Sequence, residues 1–236
     1  MAELRLADDA RAASWLTSRI RGFGESVWSL VPEGFPAYVR VFHPAELYID
    51  PESEPVPVRW AVIAAATGKV AHPAMQLEAL TGIDQYREEL PGVFNYPPEI
   101  GTLPPGLARA LASKLARHTR TPDRCWFAVW EGFGHTPERL RRAPRFHLPH
   151  RDYYLLTGPL ECASLDIFDG GDQSSNLWWP DDETWCVASE IDLNTTYIAC
   201  SEACRDDILS VSDLEAVAIE PTWSIANASD SLNTED

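Results

Sequence analysis

Apolar positions recur at helical spacing between residues 8 and 21, where Ala12, Trp15, Leu16 and Ile20 share one face and Gly22 stands at the exit. The pattern predicts an amphipathic helix there. The turn Pro32-Glu33-Gly34 precedes residues 37–43, in which Tyr38, Arg40 and Phe42 alternate with Val39, Val41 and His43, a strand ended by Pro44. Short helices are predicted over 58–67, entered at Pro57 and left at Gly68, and over 73–80, closed by Gly82. A buried strand is the alternative reading of the first. The clearest helix covers 104–119, with Leu107, Leu111 and Leu115 on one stripe and Arg109, Lys114, Arg117 and Arg120 on the other. Between these helices, 91–105 reads as a long proline-rich loop, of the kind that carries function or wraps a core.

Strand patterns gather in the second half. They cover 125–132, 145–148, 152–156 and a hairpin of 185–192 with 197–199, followed by a helix over 201–209 and a last strand over 216–219. Helices dominate the first half and there is no regular strand–helix alternation. The order therefore predicts an α+β protein, a mostly antiparallel sheet in the second half with helices from the first half packed on it. One globular domain is expected over 1–220, with a flexible polar tail over 221–236.

Composition narrows the class of protein. With 236 residues, of which 45% are hydrophobic, the chain carries enough apolar material for a sizeable core, and disorder is excluded. No leader pattern, no long apolar run and five cysteines in mainly apolar stretches together point to a reduced, cytoplasmic setting. The net charge of −17 is unevenly spread: residues 101–151 hold 10 basic and 3 acidic side chains, whereas 152–236 hold 1 and 19. Such an acidic chain repels phosphate backbones and anionic membranes, so neither nucleic acid nor membrane is expected as a partner. The basic middle and the acidic end are expected to pair with each other in large part.

Candidate chemistry concentrates where tryptophan and carboxylate interleave. Trp178, Trp179 and Trp185 bracket Asp181 and Asp182, and Glu190 and Asp192 follow on the next strand. Aromatic platforms beside acids are how glycan sites are built, which makes the four carboxylates candidate acid/base residues and the tryptophans a candidate binding surface. The alternative is that the tryptophans are core anchors and Pro180-Asp181-Asp182 a turn. Arg40, His43 and Arg151 complete the candidate surface, with Arg151 in an arginine-rich stretch able to grip carboxylates. The acids at 166, 169 and 172 lack calcium-loop spacing, while Cys200 with Cys204 and His147 with His150 lack zinc spacing; no metal or cofactor is expected. Nucleophilic catalysis needs a cysteine or serine beside a histidine; Cys125 or Cys186 can meet His43, His147 or His150 only in space, and no motif supports it.

Four stretches share one pattern. They are 31–45, Arg124 to Gly134 (RCWFAVWEGFG), Leu148-Pro-x-Arg151-x-Tyr153 with Gly158-Pro-Leu160, and Asn176–Asp182 continuing through Trp185–Asp192. Together they resemble a family of uncharacterised proteins of high-GC Gram-positive bacteria. A fainter likeness, in the acidic charge and the Trp-Pro-Asp-Asp then Trp-x-Val strand, is to bacterial proteins that neutralise toxins. The resemblance implies a bacterial cytosolic protein and names no catalyst. Two functions are expected from these readings: a non-catalytic module, inhibitor- or immunity-like, that binds a basic protein through an acidic tryptophan-bearing surface; or an enzyme acting on a glycan or small polar substrate by carboxylate chemistry.

Overall fold

The computed structural model describes residues 2–50, 52–82, 89–134, 136–168, 170 and 173–233, and its strands assemble into a nine-stranded sheet and a two-stranded ribbon. In chain order the elements are β1 (Arg5–Leu6), α1 (Ser14–Arg19), β2 (Ala37–Phe42), β3 (Ala45–Leu47), β4 (Val56–Val58), α2 (Trp60–Thr67), α3 (Leu77–Thr81) and α4 (Pro105–Leu115). The second half adds β5 (Cys125–Trp130), β6 (Arg145–Leu148), β7 (Arg151–Gly158), β8 (Leu177–Pro180), β9 (Cys186–Ser189), β10 (Thr195–Cys200), α5 (Glu202–Leu209) and β11 (Glu215–Ile219). The sheet runs β1-β7-β5-β8-β9-β10-β2-β11, with β6 also on β7 and every ladder antiparallel. The fold is α+β, as the segregation of helix and strand patterns predicts.

Alternation along the strands sends side chains to two cores. Val39, Val41, Phe127, Trp178, Val187 and Ile198 face Leu111 and Leu115 of α4 and Ile208 of α5. Tyr38, Leu155, Trp179 and Tyr197 face the other way, onto Trp15, Leu16 and Val27 of the N-terminal segment. Because both faces are covered, all six residues of β2 are buried, Arg40 among them. A third cluster at the end of the sheet joins Phe42 to Trp60 and Ile63 of α2 and Leu77 and Leu80 of α3.

Several boundaries differ from the sequence reading for local reasons. The first helix is split, since Asp9 accepts from the Arg11 backbone N–H (2.9 Å) and sets a 3-10 turn over Arg11–Ala13 before α1 begins. β8 is a run of four buried residues whose two faces are both apolar, which carries no period-2 signal. The segment beyond residue 220, expected to fray, is packed on the body. Ile225, Asp230 and Asn233 are buried; Asp230 accepts from His72 Nε2 (2.8 Å) and the Gln76 N–H (3.1 Å), and Asn233 pairs with both backbone groups of Val70 (2.8 and 3.0 Å). Its polar side chains satisfy otherwise open backbone groups, so polarity here serves docking rather than solvation. Two acids of the 166–172 segment, at 169 and 172, lie outside the described residues.

Candidate functional site

β8, the turn after it and β9 carry the tryptophan–carboxylate constellation. Trp178 points to the α4 side and meets Trp185 edge-on at 5.4 Å, and Trp185 Nε1 donates to the Leu115 carbonyl (3.2 Å) at the end of α4. Trp179, its neighbour in sequence, points the opposite way between Trp15 and Phe146 (6.4 and 6.2 Å). All three rings are at most 1% exposed. They are core anchors and form no binding surface: Trp178 and Trp179 lie on a strand in the centre of a doubly covered sheet, and Trp185, just before β9, is buried against α4. Truncating any one to alanine would cost about 3–5 kcal/mol.

The carboxylates beside them are held by structural donors. Asp181 forms an ion pair with Arg124 and accepts from Trp126 Nε1 (3.1 Å). Asp182 accepts from Thr119 Oγ1 (2.7 Å), the Arg120 N–H (2.8 Å) and Thr184 Oγ1 (3.0 Å), tying the end of the α4 segment to the β8–β9 turn. Burial pushes the Asp182 pKa up, but these hydrogen bonds outweigh it and leave the carboxyl below its usual value. That is the wrong direction for a general acid at neutral pH. Glu190 and Asp192 stand at the other end of β9, roughly 13 Å away for four extended residues. There Arg151 binds both: its Nε lies 2.9 Å from Glu190 Oε1 and its Nη2 2.7 Å from Asp192 Oδ2. The guanidinium is stacked between Phe23 and Trp130, each 5.1 Å away. The structure thus separates the four candidate acids into two ion-pair clusters.

Arg40 and His43 lie inside the molecule. Arg40 donates to the carbonyls of Pro73 (3.3 Å) and Met75 (2.9 Å) and to Gln76 Oε1 (3.1 Å), over the rings of Phe42, Trp60 and Tyr197, which seats the α3 approach on β2. His43 Nδ1 lies 2.7 Å from the Glu99 carbonyl and must donate to it; Nε2 then accepts from Thr196 Oγ1 (2.9 Å), which in turn accepts from Ser189 (2.6 Å). This chain of hydrogen bonds clips the 91–104 loop to the sheet. Arg40 and His43 are therefore buried near each other inside the fold, apart from Arg151, which sits with Glu190 and Asp192.

Four thiols are shifted away from the thiolate form. Burial pushes Cys125 up to about 12 and Cys162 up to about 11, and raises Cys186; a hydrogen bond with Cys200, then burial, raises Cys204. Among the described residues no group of three or more His, Cys, Asp or Glu side chains is placed to hold a metal ion, and no helix is long and apolar enough to cross a membrane.

The basic middle and acidic end do pair across the fold. Asp207 of α5 takes Arg117 (3.7 Å) and His118 (2.8 Å), and Asp181, Asp182, Glu190 and Asp192 take Arg124, Arg120 and Arg151. One acidic surface is the corner where α5 meets β11. Glu202, Asp213 and Glu220 are exposed there along the outermost strand and α5, and exposed Asp206 pairs with Arg205 (2.8 Å). Trp223, 37% exposed, borders an open cleft of about 300 Å³ at the end of β11, shared with Phe35, Tyr38, Ile219, Pro221 and Arg205. The sequence reading placed this tryptophan in a frayed tail and so missed it. The readable signal was on α5, where Cys204 and Ile208 point inward and Glu202 and Asp206 fall on the opposite face. No family model matches the chain, and neither a curated protein nor a solved structure matches it.

Proposed function

We propose that the chain is a non-catalytic protein-binding module that docks a basic partner through the acidic, tryptophan-bearing corner of α5 and β11, in the manner of an inhibitor or immunity protein. The observation that carries this reading is the exposure of Glu202, Asp213 and Glu220 along α5 and β11, with Asp206 paired to Arg205 and Trp223 exposed at the end of β11, in a chain whose Arg124 and Arg151 are taken up by other acids. An excess of charge of one sign accelerates encounter with an oppositely charged protein, and an exposed aromatic beside a cleft supplies an anchor for affinity. The tryptophan of the surface is Trp223, in place of the three buried ones. Carboxylate catalysis has weaker support, since Asp181, Asp182, Glu190 and Asp192 are each engaged by structural donors at two separate ends of β9.

Affinity capture from the native host at low and high salt tests the reading, using the wild-type chain beside a variant with Glu202→Lys, Asp206→Lys, Asp213→Lys and Glu220→Lys. A basic protein retained in stoichiometric amount by the wild type, released by salt and not held by the variant, is the expected result. Recovery of no such protein in either salt, or equal capture by the variant, would overturn it.

A further inference from the structure

We infer that β11 is a strand-addition site, at which an extended segment of the partner bearing lysine or arginine pairs with the open edge of the sheet. This rests on the reading of the chain as a binder of basic protein and specifies how the partner is held. The sheet ends at β11, which pairs with β2 over the five positions Glu215↔Phe42 to Ile219↔Tyr38. Among the described residues, no backbone group of Glu215–Ile219 hydrogen-bonds to anything but β2. In an antiparallel ladder, half of an edge strand's N–H and C=O groups point outward, a ready template for another strand.

The two edges of the sheet are treated differently. On the far side, the outer edge of β7 is divided between the four-residue β6 and the two-residue β1, so no long edge is presented. β11 carries no lysine, proline or bulge: hydrogen bonds from Arg59 and the start of α2 go to Ser212 and Glu215, and Glu-Ala-Val-Ala-Ile is in unbroken register with β2. Its one charged residue is turned aside, since Glu215 accepts from the Trp60 and Ala61 N–H groups (2.7 and 2.8 Å) at the start of α2. Ala218 is exposed and too small to shield the backbone. The cleft beside Trp223 opens at the end of the strand, lined by Tyr38, Ile219, Arg205 and Glu220.

Charge selects the occupant. A second copy paired antiparallel about Val217 would set Glu220 of each chain against residue 214 of the other, beside Asp213 and Glu215, and would join two chains of charge −17. A strand carrying lysine or arginine meets the exposed carboxylates of Asp213 and Glu220 favourably, Glu215 being held by α2. Like charge therefore disfavours the self-pair and opposite charge favours the basic strand.

The probe is a synthetic peptide alternating lysine and valine, with two counterparts N-methylated at one or the other set of alternate amides, each titrated into the full chain. The parent peptide is expected to bind and to slow hydrogen exchange of the outward amides within 215–219. One methylated peptide should bind as the parent does, and the other should lose about tenfold or more in affinity, the equivalent of one or more net hydrogen bonds. Absence of parent binding, equal binding by both methylated peptides, or binding without protection at 215–219 would overturn strand addition. A glutamate–valine peptide binding as tightly as the parent would overturn the charge preference. A captured native partner that the peptide fails to displace would refute the site while leaving the broader reading of an acidic binding module in place.

Discussion

At His43 a ring nitrogen that titrates near neutrality in water is locked in one state. Burial pushes its pKa down to about 4; the hydrogen bond to the Glu99 carbonyl opposes that shift and the nearby Arg40 charge adds to it. Below the ordinary value of 6.5 the unfolded chain takes up a proton that the folded chain refuses until about 4. The contribution of His43 is therefore complete above that window and is lost as pH falls through it, by about 3 kcal/mol in all. Replacement His43→Gln removes the titration. Chemical denaturation is expected to show the variant less stable at about pH 8, with the gap closing towards about pH 4 by that amount; a gap independent of pH would contradict the neutral buried ring. Arg40 illustrates the same scale of effect. In the strand pattern it is simply a polar residue between Tyr38 and Phe42, and nothing along the chain says that Pro73, Met75 and Gln76 will return to accept from it.

Elements are decided where local stereochemistry and long-range approach meet. Gly68 closes α2 at φ +72°, a left-handed position at which an added Cβ would meet open space, and the sequence alone places that stop. Gly101 has nearly the same φ, +77°, but a Cβ there would lie 2.8 Å from the Ile191 carbonyl oxygen across the loop. The two glycines therefore separate backbone strain from contact. Gly68→Ala is expected to cost about 1 kcal/mol and Gly101→Ala about 2–4 kcal/mol, read from denaturant midpoints. Equal costs would mean that the loop yields at Ile191. Helix ends were legible because a capping serine before α5 or a glycine after α2 and α3 acts within one turn. β8 was not, because a buried strand announces itself by what covers it rather than by alternation.

For the whole molecule, the segment after residue 220 links the third core cluster to the sheet. Asp230 is pushed up by burial, yet its hydrogen bonds from Asn233, Gln76 and His72 outweigh this and hold the carboxyl below its usual value. That contribution is present at neutral pH and is lost as pH falls through the depressed pKa. Deleting the chain from residue 225 onward leaves the Val70 and Gln76 backbone groups without these partners and uncovers the α3 side of the fold. A loss of about 3 kcal/mol is expected, seen as a fall in Tm of roughly 6–12 °C; an unchanged Tm would show that the docked segment contributes nothing.

Hydrophobic periodicity and capping residues by themselves determined the α+β class, the helices of the first half and most strands, since these depend on interactions within a few residues. Segment charge pointed as well to pairing between the basic middle and the acidic end, which Arg117, Arg120, Arg124 and Arg151 make. Tertiary structure alone decided which tryptophans reach solvent. Trp178 and Trp179, adjacent in sequence, enter opposite cores, and Trp223, in a polar stretch, stays exposed at a sheet edge. The reason is that exposure belongs to the pairing order of the strands, which puts β8 in the middle and β11 at the rim, and that order is set by contacts between residues far apart in the chain.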